Sequence, residues 1–445
     1  MKLFAKQDSR TRLALKNIAV SFLLRAITGI ISLMLVPLTL KCLGEYENGV
    51  WLTISSMLLW IENFDIGLGN GLRNKLSAYI AHGDWDNAQK AVSTTFMLMF
   101  FIMIPAAALL VGGICLIDIH SALNISPASV PNLKEVMSIG IVLFSSTFIM
   151  KTIGNVFLGM QLPAVSNFLV TAGHPVILLG TYLMYVNGIH SLLLITVLNL
   201  GTPLLVYFLA YPFTFYVKYP RIKPSFRFFD KSMISELMSL GIMFFINQIA
   251  SSIILLSANI LISRWFSPAM VTPYQIAYKY FSLVLLVFTL VCSPVWSATT
   301  DAYERGDVQW IKKTIRRICL FLLLIAAGLF AMIVCSEAVY RFWIGTGTTI
   351  PLSITVSMAV YIMCLVTSLS FCFILNGLGK LKLQLYCTLL GTTLFFIVAP
   401  LLTRWMGNAS SLAIATSIAL LPNIICNPIQ SIKVINGTAK GLWQK

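Results

Sequence analysis

Arg25, Glu62, Asp65, Lys151 and Lys279 each interrupt a run of apolar residues long enough to cross a bilayer. An ionisable side chain at the centre of a transmembrane helix costs about 2.5–3.5 kcal/mol on insertion scales, so such residues face a protein interior or a watery cavity. Three cations against two carboxylates suit an anionic guest. Arginine grips phosphate oxygens through a planar fork, and lysine acts as a point charge. The competing reading pairs Arg25 or Lys151 with Glu62 or Asp65 for helix packing alone, and lets Lys279 snorkel to the external face.

The acids lead into Gly67-Leu68-Gly69-Asn70-Gly71-Leu72-Arg73-Asn74-Lys75. Glycines there allow close backbone approach and a helix end that adapts. Asn70, Arg73 and Lys75 form a cytoplasmic mouth, with ordinary orientation charge as the plainer role of the two cations. The segment reads as a gate at the inner entrance, and the deeper cations as the place for the anion.

Uncharged polar residues extend the pattern. Ser21, Arg25, Thr28 and Ser32 share one helical face, as do Thr147, Lys151 and Asn155. Gln248, Ser252 and Asn259 follow in a later span, and Gln275, Lys279, Ser282 and Thr289 in the next. Facing one another, these stripes would line a polar cavity between two halves. His174 reads as a hydrogen-bonded residue of the bundle before it reads as a proton carrier.

Placing such residues requires membrane-spanning helices, and the composition supplies them. Of 445 residues 58% are hydrophobic and 10% charged, against roughly 25% charged in soluble domains. Runs of about 20 apolar residues cross a ~30 Å core. They lie near 18–40, 48–68, 92–117, 136–158, 164–186, 190–213, 237–262, 273–298, 318–339, 352–375, 384–402 and 409–428. The fold class is therefore an all-α polytopic membrane protein of about twelve helices in two six-helix bundles.

The formal net charge of +16 follows from membrane orientation rather than nucleic acid, since no aromatic-interleaved basic patch accompanies it. Most of the 31 Lys and Arg fall on the N-terminal side of the spans, while Lys41, Lys134, Arg264, Arg341 and Arg404 lie opposite. By the positive-inside rule both termini are cytoplasmic. Residues 1–213 form the first bundle, 214–235 a basic linker and 236–445 the second bundle. The linker reads as solvated, with anionic lipid as its alternative partner. Gly83-Asp84 and Lys90 recur as Gly306-Asp307 and Lys313 at one shared displacement, close to half the chain. Such a repeat places its symmetry axis along the membrane normal. The prolines Pro37, Pro105, Pro175, Pro203 and Pro294 read as kinks.

Catalytic signatures are missing: no P-loop, no HExxH and no Cys/His cluster. The nine cysteines read as packing residues. The basic N-terminus lacks a small-residue cleavage site and reads as retained. A non-enzymatic protein is expected, without catalytic residues, metal ligands or cofactor beyond a coupling H+ or Na+.

Several motifs carry a family resemblance across most of the chain. They are Pro37-Leu38-Thr39-Leu40 with Leu43-Gly44, Gly49-Val50-Trp51, the Asp65–Lys75 segment, and Tyr274-Gln275-Ile276-Ala277-Tyr278-Lys279-Tyr280-Phe281. The chain resembles the Wzx-type flippases of the multidrug/oligosaccharidyl-lipid/polysaccharide exporter superfamily. The resemblance implies a bacterial inner-membrane protein that moves undecaprenyl-diphosphate-linked oligosaccharide for O-antigen assembly by alternating access. It implies Arg25, Lys151 and Lys279 on the diphosphate, with Asp65 or Glu62 gating or coupling an ion gradient. Implied partners are the lipid-linked oligosaccharide and membrane lipids, with a polysaccharide polymerase and chain-length regulator beside them. The rival readings are a multidrug exporter or peptidoglycan-precursor flippase of similar build, or a membrane glycosyltransferase or polymerase. The short external loops disfavour the last.

Overall fold

The computed structural model describes residues 9–61, 67–238, 242–304, 306–345, 347–380 and 382–444, and among them every regular element is helical. Helix α1 (Ser9–Leu59) holds the first expected span and the second as far as Leu59, as two arms joined at Gly44, whose φ of 72° and ψ of 175° break the helical run. It is followed by α2 (Leu68–Ala81), α3 (Trp85–Leu116), the short α4 (Ile119–Leu123), α5 (Leu133–Met150), α6 (Thr152–Gly159), α7 (Pro163–Val186) and α8 (Leu192–Pro212). A connector then leads to α9 (Ser232–Met238), α10 (Ile242–Trp265), α11 (Pro268–Glu304) and α12 (Val308–Ile344). The chain ends with α13 (Leu352–Gly377), α14 (Lys382–Met406) and α15 (Ser410–Ile435).

Nine helices among the described residues are long and apolar enough to span a bilayer. One of them carries both arms of α1, and α10 and α11 cover the seventh and eighth expected spans, so the expectation of about twelve spans stands. Leu109, Leu323, Leu324, Phe330 and Val334 are exposed. In water each would forgo about 1.5–3 kcal/mol of burial, whereas on a multi-pass membrane protein they form the lipid-facing surface.

The chain divides into two compact units, Met1–Phe245 and Ile246–Lys445. In the first, α1 packs along α7, α5 lies between α3 and α8, and α2 rests on α3 and α6. In the second, α13 is flanked by α11, α12 and α15, and α14 lies along α15. Close backbone contact needs glycine in both. A methyl group on Gly71 of α2 would overlap the Leu237 carbonyl of α9, and one on Gly391 of α14 would overlap the Ala419 carbonyl of α15.

The two Gly-Asp loops are built alike. Gly83 and Gly306 each adopt a φ of 72°, a left-handed position that ends a helix. Asp84 N donates to Tyr79 O at 2.9 Å, and Asp307 N to Ala302 O at 2.8 Å, closing the preceding helix in both places. Each aspartate then caps the next helix. Asp84 Oδ1 accepts from Asn87 N at 3.1 Å and Asp307 Oδ1 from Trp310 N at 2.9 Å. The repeated dipeptide is thus a stop-and-start device for consecutive helices.

The connector between α8 and α9 is docked rather than solvated. Ile222 is fully buried. Ser225 N donates to Ser93 Oγ at 3.1 Å, Asp230 N to Thr94 Oγ1 at 3.0 Å, and Gln89 Nε2 to Lys223 O at 3.0 Å, all onto the first turns of α3. The Ser232 hydroxyl and backbone N–H hold the Asp230 carboxyl below the usual range, assisted by Lys90 at 3.7 Å. That exposed ion pair adds little stability; buried Ile222 and three hydrogen bonds do most of the holding.

Candidate functional site

Lys151 stands where α5 hands over to α6, in the middle of the Thr147–Lys151–Asn155 stripe. Its backbone N–H still bonds Thr147 O at 2.8 Å, and its carbonyl accepts from Gly154 N at 2.8 Å, three residues on, which tightens the helix at this point. The half-buried side chain enters the wall of a cavity of about 250 Å³ in the first unit. Phe144, Thr147, Phe148, Asn199 and Tyr207 share that wall. The Lys151 ammonium lies 5.6 Å from the Phe148 ring centroid, within cation–π range.

The shape of this cavity traces to sequence. Pro203 lies in its lining and inside α8, where proline removes the bond to the carbonyl four residues earlier, that of Asn199. The Thr147 hydroxyl sits 2.8 Å from Leu143 O and 3.3 Å from Leu200 O, joining α5 to α8 beside the proline. One lysine on a mostly aromatic and aliphatic wall can attract an anion while the wall accepts an apolar neighbour.

The other expected residues divide. Arg25 is exposed on α1 and is not part of this lining, although its stripe neighbour Thr28 meets Thr171 of α7 at 3.0 Å. Lys279 belongs to the second unit, half-buried on α11. Arg73 is exposed and Lys75 half-buried on α2. Glu62 and Asp65 lie outside the described residues, as does the Asn70 side chain. His174 Nδ1 is 3.0 Å from Val170 O of its own helix, the local bond expected of it.

A second cavity, of about 330 Å³, was not legible beforehand. It lies in the second unit, walled by α10, α11, α13, α14 and α15, with Tyr278, Tyr361, Asn376, Gln384, Thr388 and Asn423 in its lining. No described residue lining it carries a charge. Gln275 Nε2 donates to Asn259 Oδ1 at 2.6 Å, so the expected stripes of α10 and α11 do meet. The polar content of α14 and α15 went unread because Gln384 and Thr388, or Asn423 and Asn427, resemble ordinary interhelical glue at four-residue spacing. That spacing was the available signal.

No protein-family model matches the chain. A curated protein of Salmonella typhimurium named "Putative O-antigen transporter" is 22% identical over 332 residues, 72% of each chain. One of the same name from Salmonella typhi is 24% identical over 379 residues, covering 82% of this chain and 83% of the relative. The chain is similar to the Wzx-type O-antigen flippases. Among solved structures, the inward-facing form of a multidrug resistance MATE family transporter of the MOP superfamily matches with a TM-score of 0.72. Its identity is 13%, with 96% of this chain and 98% of that one covered. The outward-facing form of a MATE transporter of the same superfamily gives 0.60 at 13% identity, with 95% and 99% covered. The fold is that of the MATE transporters, and its long apolar helices are those of a multi-pass membrane protein.

Proposed function

We propose that the chain flips polyprenyl-diphosphate-linked oligosaccharide repeat units from the cytoplasmic to the outer leaflet of a bacterial inner membrane, for O-antigen or related surface polysaccharide. The observation that carries this reading is Lys151, a membrane-embedded ammonium in an aromatic-walled cavity on a transporter fold. A diphosphate supplies the anion and a polyprenyl chain the apolar neighbour. Arg25, exposed on α1, and Lys279, in the second unit, are proposed as further cations that engage the anionic substrate. A cavity for cationic drugs would call for acids in its wall; the described lining of the Lys151 cavity holds none.

The test is genetic complementation in a strain lacking its own flippase. Lys151→Ala should lose most surface polysaccharide while inserting at normal levels, and Lys151→Arg should retain part of it. Normal polysaccharide from Lys151→Ala would refute the reading. Hydrogen bonds to charged groups contribute about 1.5–3 kcal/mol, so the transport rate should fall roughly ten- to hundredfold.

Glu62 and Asp65 are proposed as the ion-coupling pair, on the energetic argument that a carboxylate within an apolar span needs a use. An imposed proton or sodium gradient should accelerate flipping by the wild type and not by Asp65→Asn. Equal acceleration in both would remove Asp65 from the coupling step.

A further inference from the structure

The second unit's cavity has a donor and acceptor arrangement that asks for a particular guest. Asn427 Nδ2 lies 3.5 Å from Asn423 Oδ1 and 3.4 Å from Cys372 Sγ. Asn423 Nδ2 donates to Thr388 Oγ1 at 3.3 Å, and the Thr388 hydroxyl donates to the backbone carbonyl of Gln384 at 2.9 Å. This ladder runs from α15 to α14 and consumes its donors internally. At its end the Gln384 side chain, 7% exposed, belongs to the cavity lining, and its Oε1 is buried without a hydrogen-bond partner. A buried carbonyl oxygen without a donor is unfavourable, and turning the amide toward a guest that carries O–H or amide N–H relieves it.

Two more features narrow the guest. The Tyr278 and Tyr361 rings lie 6.4 Å apart at 26°, both in the cavity lining, and give it an aromatic wall. Aromatic faces pack against the C–H-bearing face of a pyranose ring, while amides and hydroxyls answer its hydroxyl edge. The described lining carries no charge, which leaves a diphosphate without a counter-ion there and leaves a bare cation without a carboxylate. The volume, about 330 Å³, is at the small end of the range for small-molecule sites, roughly 300–1,000 Å³, and fits one ring rather than a whole repeat unit.

We propose that this cavity is a binding site for a single neutral sugar ring, with Gln384 Oε1 accepting from a hydroxyl or N-acetyl group, Asn376 on the hydroxyl edge and the tyrosine rings beneath the ring face. The site deepens the flippase reading by giving the glycan its own contact, and rests on that reading only for the physiological ligand.

The test uses the full-length protein in nanodiscs at fixed sodium concentration, with saturation-transfer NMR against methyl glycosides of neutral hexoses, 6-deoxyhexoses and N-acetylhexosamines, and mannitol as the acyclic control. At least one glycoside should give a signal that mannitol does not. Its Kd should rise at least tenfold in Gln384→Met, which keeps the volume and removes the acceptor, and in Asn376→Leu, which serves where the first variant fails to fold. No signal from the whole panel overturns the proposal. So does an equal signal from mannitol, or unchanged binding in the folded variants. These failures are distinct from failure of the flippase reading, which shows as normal surface polysaccharide in Lys151→Ala.

Discussion

The first unit's cavity is organised by one charge and the second's by a ladder of neutral amides. Lys151 sits on a wall of phenylalanine and aliphatic side chains, with Pro203 of α8 in the same lining. In the second unit the same kind of transmembrane scaffold spends Asn427, Asn423 and Thr388 on one another and presents Gln384 and two tyrosines. A lysine contributes reach and long-range attraction but little shape discrimination. Fixed amides contribute direction and reject what cannot pair with them. The contrast suits a substrate with an anionic linkage at one place and hydroxyls at another, and each unit can then be tested with the part of the substrate that matches it.

The largest effects should separate the cavities. Lys151→Ala should lower transport ten- to hundredfold, whereas Gln384→Met should weaken glycoside binding at least tenfold. If both variants damaged both readouts equally, the division between charge and amide would fail.

The next effect is on packing. Gly71→Ala forces α2 away from the Leu237 carbonyl, and Gly391→Ala forces α14 from that of Ala419. Overpacking of this kind costs about 1–3 kcal/mol, read as a fall in thermal stability of the detergent-solubilised protein. Unchanged melting in both variants would show that the helices separate freely at these points. The smallest effect concerns the shared loops. Asp84→Ala and Asp307→Ala each remove one helix cap and should each cost about 1 kcal/mol. Similar losses would confirm that the two loops are equivalent. A loss at only one would make the other ornamental.

How much of this could be read from the chain depends on the physics of each feature. The spans were legible because a bilayer demands long apolar runs, and the residues of α12 to α15 satisfy it wherever they pack. That Lys151 lines a cavity follows the same physics, since a charge in such a run is unfavourable against lipid. Gly83-Asp84 and Gly306-Asp307 were visible as a repeat, but their role as helix stop and cap needed the φ angles and hydrogen bonds. The docked connector was hidden: Ser93, Thr94 and Ile222 are ordinary residues whose partners lie more than a hundred positions away or in a turn. Arg25 shows the limit of face arguments. Thr28 on its stripe does meet α7, while Arg25 itself is exposed.

The most direct test of the central claim is flipping itself, measured in proteoliposomes. A fluorescent polyprenyl-diphosphate-linked glycan is reconstituted in one leaflet, and its arrival in the other is followed by quenching. The account predicts rapid transfer with the wild-type protein, transfer at least tenfold slower with Lys151→Ala, and partial rescue with Lys151→Arg. Equal rates for wild type and Lys151→Ala would contradict it.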